Sequence, residues 1–252
     1  MSLSFHPLQG IPEVVSGDDL AGHCLQGLAA SGLSLQAGDV LVLAQKIVSK
    51  AEGRSVALAE ITPTPQALEY AEICQKDARL VALILSEASE VVRAVPGVLI
   101  VRHRLGFVLA NAGIDQSNVP GSGQALLLPK EPDHSATQLR EQLQRRTDID
   151  CAVMIADSFG RPWRMGVCGT CIGAAGLSAL FDLRGACDRE GREMVVTQQA
   201  VADQLCATAT LVGGEADEGT PIVLIRGLDP RYLAADGRAT DLIRPVAQDL
   251  FR

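Results

Sequence analysis

The run Asp39-Val-Leu-Val-Leu-Ala44 decides the fold class, because every residue after the aspartate is apolar. A short, uninterrupted apolar run predicts a β-strand that is buried on both faces of a sheet. A second run of this kind, Ala152–Ala156, predicts a second buried strand. Helical and strand patterns alternate around the two runs, so we expect a mixed α+β protein.

Helix and strand signals outside these two runs continue the alternation. Ser16-Gly-Asp-Asp19 predicts a helix start, because it offers capping side chains and first-turn acids. Thr64-Pro65 predicts another start, and apolar spacing predicts a helix over Ala78–Ser89. We also expect a hairpin over Val98–Ala110 and a surface loop over Pro120–Asp133. A long helix is expected over Thr197–Val212, and a short terminal helix over Ala239–Leu250.

Length and composition limit the classes of function. The 252 residues suffice for one large domain or two ordinary ones. A net charge of -8 and an aromatic content of 3% argue against a nucleic-acid partner, which needs basic and stacking surfaces. No apolar run approaches the roughly 18 residues of a membrane span, so no membrane partner is expected. Seven scattered cysteines, with no export signal before them, predict reduced thiols in the cytoplasm.

The stretch Asn111-Ala-Gly-Ile-Asp-Gln-Ser-Asn118 carries the strongest chemical signal. It follows a strand-like run, and Asp115 is its only acidic residue. A lone carboxylate among amides and glycines suits a hard metal ion or a general base. Asn and Asp also bond their own backbone, so an ordinary turn is the alternative interpretation.

Two further carboxylates have a similar setting. Asp157 follows the apolar run that ends at Ala156, and Glu215 lies in a glycine-rich loop. We expect Asp115 and Asp157 just beyond the ends of their strands, where three carboxylates together can hold Mg²⁺ or Mn²⁺ against phosphates. The cations that can neutralise the remaining phosphate charge are Lys46, Lys50, Arg161 and Arg164. Taken alone, each acid is more typical of a solvated loop, and only the three together make a metal site equally compatible with the sequence.

Other catalytic motifs are missing or weak. No Gly-x-x-x-x-Gly-Lys-Ser/Thr or Gly-x-Gly-x-x-Gly run occurs, so neither a P-loop nor a Rossmann fold is expected. The four histidines are dispersed and support no Ser-His or Cys-His hydrolase. Cys168-Gly-Thr-Cys171 leaves open a metal- or redox-responsive binding protein, with chance spacing among seven cysteines as the alternative.

Several long motifs together resemble the coenzyme F420-0:L-glutamate ligase family, also called the F420 γ-glutamyl ligases. The matching runs include Ile47-Val-Ser-Lys-Ala-Glu-Gly53, the Asn111–Asn118 stretch and Asp157-Ser-Phe-Gly-Arg161. Gly10-Ile-Pro12 with Gly17–Leu20, and Leu211–Gly227, complete the match. The resemblance implies a two-part α+β fold that dimerises. Residues 1–252 would form a single unit, either undivided or built from two intertwined subdomains. No C-terminal flavin-reductase-like domain is expected.

The resemblance also implies an activity. The family's members are GTP-dependent acid–amino-acid ligases of coenzyme F420 biosynthesis, which join L-glutamate to coenzyme F420-0 through an acyl phosphate. Some add further γ-linked glutamates. Mg²⁺ or Mn²⁺ and K⁺ assist the reaction. The expected partners are therefore GTP, L-glutamate, coenzyme F420-0 and a second copy of the chain. A related ligase that acts on another small-molecule acid is the alternative.

Residue roles follow from matching positions in the resembling motifs. Asp115 and Asp157 match metal-binding aspartates, with Ser158 and Glu215 as further metal ligands. Lys50, together with the two aspartates, is assigned to catalysis. The residues matched to the nucleotide are Gly10, Ile11, Pro12, Glu13, Gln45, Lys46, Lys50, Asn118, Gly214 and Glu215.

Overall fold

A computed structural model describes residues 2–117, 121 and 123–249 of the chain. Its α-helices are α1 (Leu20–Ala30), α2 (Gln45–Ala51), α3 (Pro65–Cys74), α4 (Ala78–Glu87), α5 (Pro132–Thr147) and α6 (Val201–Gly213). Its strands are β1 (Ser4–Pro7), β2 (Val40–Ala44), β3 (Ser55–Ala57), β4 (Ala88–Val95), β5 (Val98–His103), β6 (Val108–Ala110), β7 (Gln124–Leu126), β8 (Ala152–Arg161), β9 (Arg164–Ala175), β10 (Leu180–Asp182), β11 (Gln198–Ala200) and β12 (Ile222–Arg226). Within these described ranges, no helix has the length and apolar character needed to cross a membrane.

The central sheet has five strands in the order β1-β12-β2-β8-β9. Strands β2 and β8 run parallel, and the other neighbours run antiparallel. Alternate residues of β2 enter different cores: Leu41 and Leu43 pack with α1 and α5, whereas Val40 and Val42 pack with α6. The prediction that both apolar runs are strands buried on two faces is therefore confirmed, and so is the α+β class.

A third hydrophobic cluster is formed by α3, α4 and the three-stranded sheet β4-β5-β6. Val81, Ile84 and Leu99 are fully buried in it. Ala112 and Ile114 belong to the same cluster, so the packing of this cluster positions the segment just before Asp115. The predicted hairpin is present as β5 and β6, and β4 adds a third strand to it.

Small residues in β9 allow both α5 and α6 to approach the sheet closely. A Cβ atom on Gly169 would lie 2.2 Å from Thr210 Oγ1 and 2.6 Å from the Cys206 carbonyl oxygen of α6. A Cβ atom on Gly173 would lie 2.5 Å from the carbonyl oxygen of Pro132 in α5. The glycines in this strand are therefore required by close packing of backbone on backbone.

Several predicted boundaries are wrong because strand pairing overrides helical spacing. The helix predicted over Ala78–Ser89 ends at Glu87, since the following residues pair with β5. The helix expected from Thr197 begins at Val201, because the three residues before it pair with β10. The predicted terminal helix is replaced by two short 3-10 turns on either side of Pro245, whose ring removes a backbone donor.

The predicted surface loop Pro120–Asp133 is also largely wrong. Of its described residues, Gln124–Leu126 forms β7 and pairs antiparallel with β3. Residues 125–129 are buried, and α5 begins at Pro132. The apolar run Ala125–Leu128 is the signal for this strand, and the glycines and prolines around it obscure that signal in the sequence.

The close packing of β9 on α6 leads to a stability prediction. Gly169→Ala should lower the free energy of unfolding by about 1–3 kcal/mol, because α6 must shift to admit the methyl group. Urea denaturation measures this change. Gly160→Ala is the matched control, since nothing lies within 4 Å of its Cβ position, and it should change stability by less than about 1 kcal/mol. Equal effects at the two sites would contradict the packing explanation.

Candidate active site

A cavity of about 650 Å³ opens where the central sheet meets the segment that carries Asp115. Its wall is made by the chain after β1, the end of β2 with the start of α2, the middle of β8, and the loop after α6. The volume lies in the range of sites that hold a nucleotide-sized ligand, roughly 300–1,000 Å³.

The parallel register of β2 and β8 places the first acid of the site. Ala44 pairs with Ala156, so Gln45 and Asp157 follow side by side. β2 ends at Ala44, whereas β8 continues to Arg161 and keeps pairing with β9. The prediction that Asp157 lies beyond the end of its strand is therefore wrong. It lies within β8, on the side that β2 leaves open, and lines the cavity.

A tight turn delivers the second acid, Asp115. Asn111 and Ala112 both have positive φ, 53° and 54°, within a short 3-10 turn. Such backbone costs about 1–3 kcal/mol per residue and occurs often at functional sites. Asp115 then pairs with Leu126 through two backbone hydrogen bonds of 3.0 and 2.8 Å. The stretch is therefore a turn and also part of the cavity wall, so the two interpretations of it are compatible.

The Asp115 carboxylate has a full set of partners. Its Oδ1 accepts hydrogen bonds from the backbone N–H and the hydroxyl of Ser117, at 2.7 and 2.8 Å. Its Oδ2 lies 2.7 Å from Lys46 Nζ. Lys46 also donates to Ser117 Oγ at 2.9 Å. A single ammonium group and one serine therefore hold the carboxylate in place.

The two aspartates have pKa values that move in opposite directions. Burial raises the pKa of Asp157 from its ordinary value of 3.8 to about 7. A hydrogen bond from the Ser158 backbone lowers this pKa, whereas the charges of Asp115 and Glu215 raise it further. Burial alone also raises the pKa of Asp115, but the hydrogen bonds from Lys46 and Ser117 bring it below its usual value. Two carboxyls in one cavity, one with its pKa raised toward neutral and the other with its pKa lowered, are typical of a functional site.

The loop after α6 supplies the third acid. Glu215 Oε1 accepts a 2.6 Å hydrogen bond from Ser158 Oγ, which joins the loop to β8. Gly214 has a φ of 87°, and a Cβ atom there would lie 2.1 Å from the side chain of Glu218. Thr220 closes the loop by donating to the Gly213 carbonyl oxygen at 2.6 Å. Gly214, Glu215 and Ser158 all line the cavity.

Most of the remaining residues matched to the nucleotide also line the cavity. Ile11, Pro12 and Glu13 line it, as does Lys50, whose ammonium group pairs with the Glu13 carboxylate. Gln45 also lines it but accepts a hydrogen bond from Ser49. Gly10 does not line the cavity; its φ of 72° turns the chain against α1. Asn118 lies outside the described residues.

The donor set suits a hard divalent cation that is shared with a ligand. Across the described part of the chain, no three His, Cys, Asp or Glu side chains converge on one metal position. The structure therefore brings Asp115, Asp157 and Glu215 to one cavity without building a protein-only cage. Mg²⁺ and Mn²⁺ bound to nucleotides are usually held by one or two carboxylates together with phosphates. A cationic group, the ammonium of Lys46, already contacts Asp115.

Two predicted groups lie away from the site. Arg161 and Arg164 are exposed at the connection between β8 and β9 and do not line the cavity. Cys168 and Cys171 are three residues apart on β9, so their side chains leave opposite faces of the strand. Cys171 is buried and donates to the Gly173 carbonyl oxygen. The pair therefore cannot share one metal ion, and chance spacing is the interpretation that the geometry favours.

Sequence reasoning missed Ser117, which binds both Asp115 and Lys46. A signal was present: a serine two residues after an aspartate is well placed for a hydrogen bond in an Asx turn. It also missed Thr220, which follows the last acidic residue of the loop and closes the loop by its hydrogen bond to the Gly213 carbonyl oxygen. No local pattern distinguishes that threonine from any other.

Comparison with known proteins agrees with this architecture. The sequence model for F420-0:gamma-glutamyl ligase matches residues 10–227. The chain is 46% identical over 252 residues to the coenzyme F420:L-glutamate ligase of Methanothermobacter thermautotrophicus, with all of both chains covered. It is 44% identical to the enzyme of that name from Methanopyrus kandleri, covering 100% of this chain and 98% of the relative. It is 39% identical to the enzyme of the same name from Archaeoglobus fulgidus, covering 100% of this chain and 97% of the relative.

The fold and the cavity therefore belong to a known class of ligases. The chain is a member of the F420-0:gamma-glutamyl ligase family, because the match includes every segment that lines the cavity. The resemblance found in the sequence motifs is confirmed.

The raised pKa of Asp157 predicts how stability depends on pH. Its folded-state pKa of about 7 exceeds the ordinary 3.8, so the folded state binds the proton more tightly and loses stability as pH rises from about 4 to 7. In metal-free protein, Asp157→Asn should remove this loss and stabilise the fold above pH 7, by at most about 4 kcal/mol. The difference should vanish below about pH 4. Urea denaturation in EDTA across this range measures it, and a constant difference would contradict the shift.

Proposed function

We propose that this protein is a GTP-dependent ligase that joins L-glutamate to coenzyme F420-0 in coenzyme F420 biosynthesis. The observation that carries the proposal is the cavity itself, in which Asp115, Asp157 and Glu215 lie with two lysines around space for a nucleotide. Relatives named coenzyme F420:L-glutamate ligase cover the whole chain. Cytoplasmic localisation is part of the same proposal.

The chemistry requires activation of a carboxylate before an amide can form. The γ-phosphoryl group of GTP moves to the terminal carboxylate of coenzyme F420-0, which gives an acyl phosphate and GDP. The amine of L-glutamate then attacks the acyl carbon, phosphate leaves with the carbon–oxygen bond electrons, and the amine proton passes to solvent. No covalent enzyme nucleophile is needed. Positioning and electrostatic stabilisation therefore account for the catalysis.

The residues of the cavity can perform these tasks. Lys46 and Lys50 offer ammonium groups to the phosphates, and the backbone of Ile11–Glu13 forms the wall beside them. A Mg²⁺ or Mn²⁺ ion, when bound, would neutralise charge on the transferring phosphoryl group. Asp115, Asp157, Ser158 and Glu215 would hold it by their oxygens. K⁺ is proposed as a further activating ion from family resemblance alone.

A direct test uses purified protein with coenzyme F420-0, L-glutamate, GTP and Mn²⁺, followed by mass analysis for an added glutamyl unit. Asp115→Asn should reduce product formation by at least about a hundredfold, because charge stabilisation of the transferred group is lost. Its circular dichroism spectrum should stay unchanged. Asp236→Asn, at an exposed position outside the cavity, should behave like the unmodified protein. Full activity in Asp115→Asn would overturn the assignment.

The same assay separates the alternatives. A ligase that acts on another small acid would hydrolyse GTP with that acid present but add nothing to coenzyme F420-0. The number of product masses shows whether one or several glutamates are added. Stoichiometric zinc on Cys168 and Cys171, without ligation, would contradict the separation of the two side chains on opposite faces of β9 and would indicate the binding-protein alternative.

We also propose that the protein is a homodimer. The connection between β8 and β9 exposes large apolar side chains: Trp163, Met165 and Val167 are 89%, 97% and 57% exposed. A projecting apolar tip of this kind is typical of a surface covered by a partner chain. Because β8 also carries Asp157, a second copy at this tip would adjoin the strand that forms the cavity.

The dimer proposal predicts the effect of charges at the tip. The double variant Trp163→Glu with Met165→Glu should convert the dimer to a monomer, because each change places a charge in an apolar interface. Light scattering coupled to size-exclusion chromatography gives the mass. Leu68→Glu with Ile73→Glu, at two exposed apolar positions on α3, is the control and should leave the mass unchanged. A dimeric tip variant would exclude this surface as the interface.

A further inference from the structure

Lys46 occupies an unusual position among the charged groups of the cavity. Its ammonium nitrogen lies 2.7 Å from Asp115 Oδ2, the one oxygen of that carboxylate that Ser117 does not bind. Asp115 and Asp157 repel one another electrostatically, and Lys46 counteracts the charge of both. The lysine is therefore the counter-ion of the acidic side of the cavity when no ligand is present.

A divalent cation and this ammonium group compete for the same oxygen. Both require close contact with Asp115 Oδ2, and two cations that close to each other repel strongly in a partly desolvated cavity. Binding of the metal therefore requires Lys46 to leave. Ser117 Oγ accepts a hydrogen bond from Lys46, but its hydroxyl is neutral and cannot balance the charge of the released ammonium group.

Phosphate offers the departing ammonium group a new partner. Lys46 lies in the first turn of α2, on a flexible stem that is 27% exposed in its side chain. Lys50, one turn further along, is already paired with Glu13. A nucleotide in the cavity brings several phosphate oxygens, which accept hydrogen bonds from an ammonium group as readily as a carboxylate does.

We propose that Lys46 is an exchangeable counter-ion, which holds the Asp115 carboxylate in the free protein and moves to nucleotide phosphate when a divalent cation takes that carboxylate. This inference rests on the proposed function, since it assumes that a nucleotide and a metal share the cavity. The exchange makes the metal and the nucleotide each strengthen the binding of the other. When both are bound, the metal contacts Asp115 and the phosphates contact Lys46, so neither charged group lacks a partner. The metal alone binds weakly, which protects the site from occupation without its nucleotide.

The test measures Mn²⁺ binding directly, through the electron paramagnetic resonance signal of free Mn²⁺, with and without a GTP analogue that cannot transfer its γ-phosphate. In the unmodified protein the analogue should tighten Mn²⁺ binding about tenfold or more. In Lys46→Met, Mn²⁺ alone should bind about tenfold more tightly than to the unmodified protein, and the tightening by the analogue should be smaller than in the unmodified protein, with only direct coordination by phosphate remaining. Isothermal calorimetry should show weaker binding of the analogue in the same variant.

Lys50→Met is the matched control, because it removes the same charge from the same cavity. The side chain of Lys50 is 10% exposed, so its charge is shielded by solvent less than that of Lys46. It should leave the binding of Mn²⁺ alone unchanged. If both variants tighten Mn²⁺ binding equally, the effect is one of net charge and the exchange is overturned. An unchanged Mn²⁺ affinity in Lys46→Met, or no Mn²⁺ binding in any of the proteins, also overturns it.

The two proposals fail separately. If the unmodified protein shows the expected Mn²⁺ coupling but adds no glutamate to coenzyme F420-0, the substrate assignment is wrong and the exchange stands. If it ligates glutamate while Lys46→Met shows unaltered Mn²⁺ coupling, the exchange is wrong and the ligase assignment stands.

Discussion

The parallel pairing of β2 with β8 is the constraint on which the rest of the site depends. It aligns Ala44 with Ala156. Beyond this pair the segment after β2 turns into α2, whereas β8 continues past Asp157. The open position beside Asp157 exists because the two strands differ in length. Lys46 enters the cavity from α2, which follows the shorter strand, and Asp157 enters from the longer strand. A slip of one residue would turn the side chains of either strand to the opposite face and remove the site.

The burial of this strand pair also explains the electrostatics. Alternate side chains of β2 and β8 fill two separate cores, so the sheet excludes water from both faces. Asp157 follows directly on this dry region and loses hydration, which raises its pKa. Asp115 lies in a polar turn and is compensated by hydrogen bonds, so its pKa falls. Two identical side chains thus differ in charge behaviour because of the elements that carry them.

The sequence was most informative where local pattern and final environment agree. The apolar runs of β2 and β8 could be recognised because burial on both faces removes polar alternation. Strand β7 was missed, since it is held by pairing with the distant β3 and not by a pattern of its own. The position of Asp157 within β8 was missed for a similar reason, because only β9 reveals that the strand continues. The family motifs identified the acids of the cavity, but the contact between Lys46 and Asp115 depends on tertiary structure.

The cavity lies between groups that belong to different hydrophobic cores. Asp157 is carried by the central sheet, whereas the chain reaches Asp115 through residues of the cluster formed with α3 and α4. A ligand that contacts both aspartates therefore acts as a cross-link between two separately packed bodies. Such a ligand stabilises the folded chain by mass action, and the stabilisation grows with the logarithm of its concentration over its dissociation constant. Under the proposed function, the nucleotide supply of the cell therefore contributes to the thermal stability of this protein.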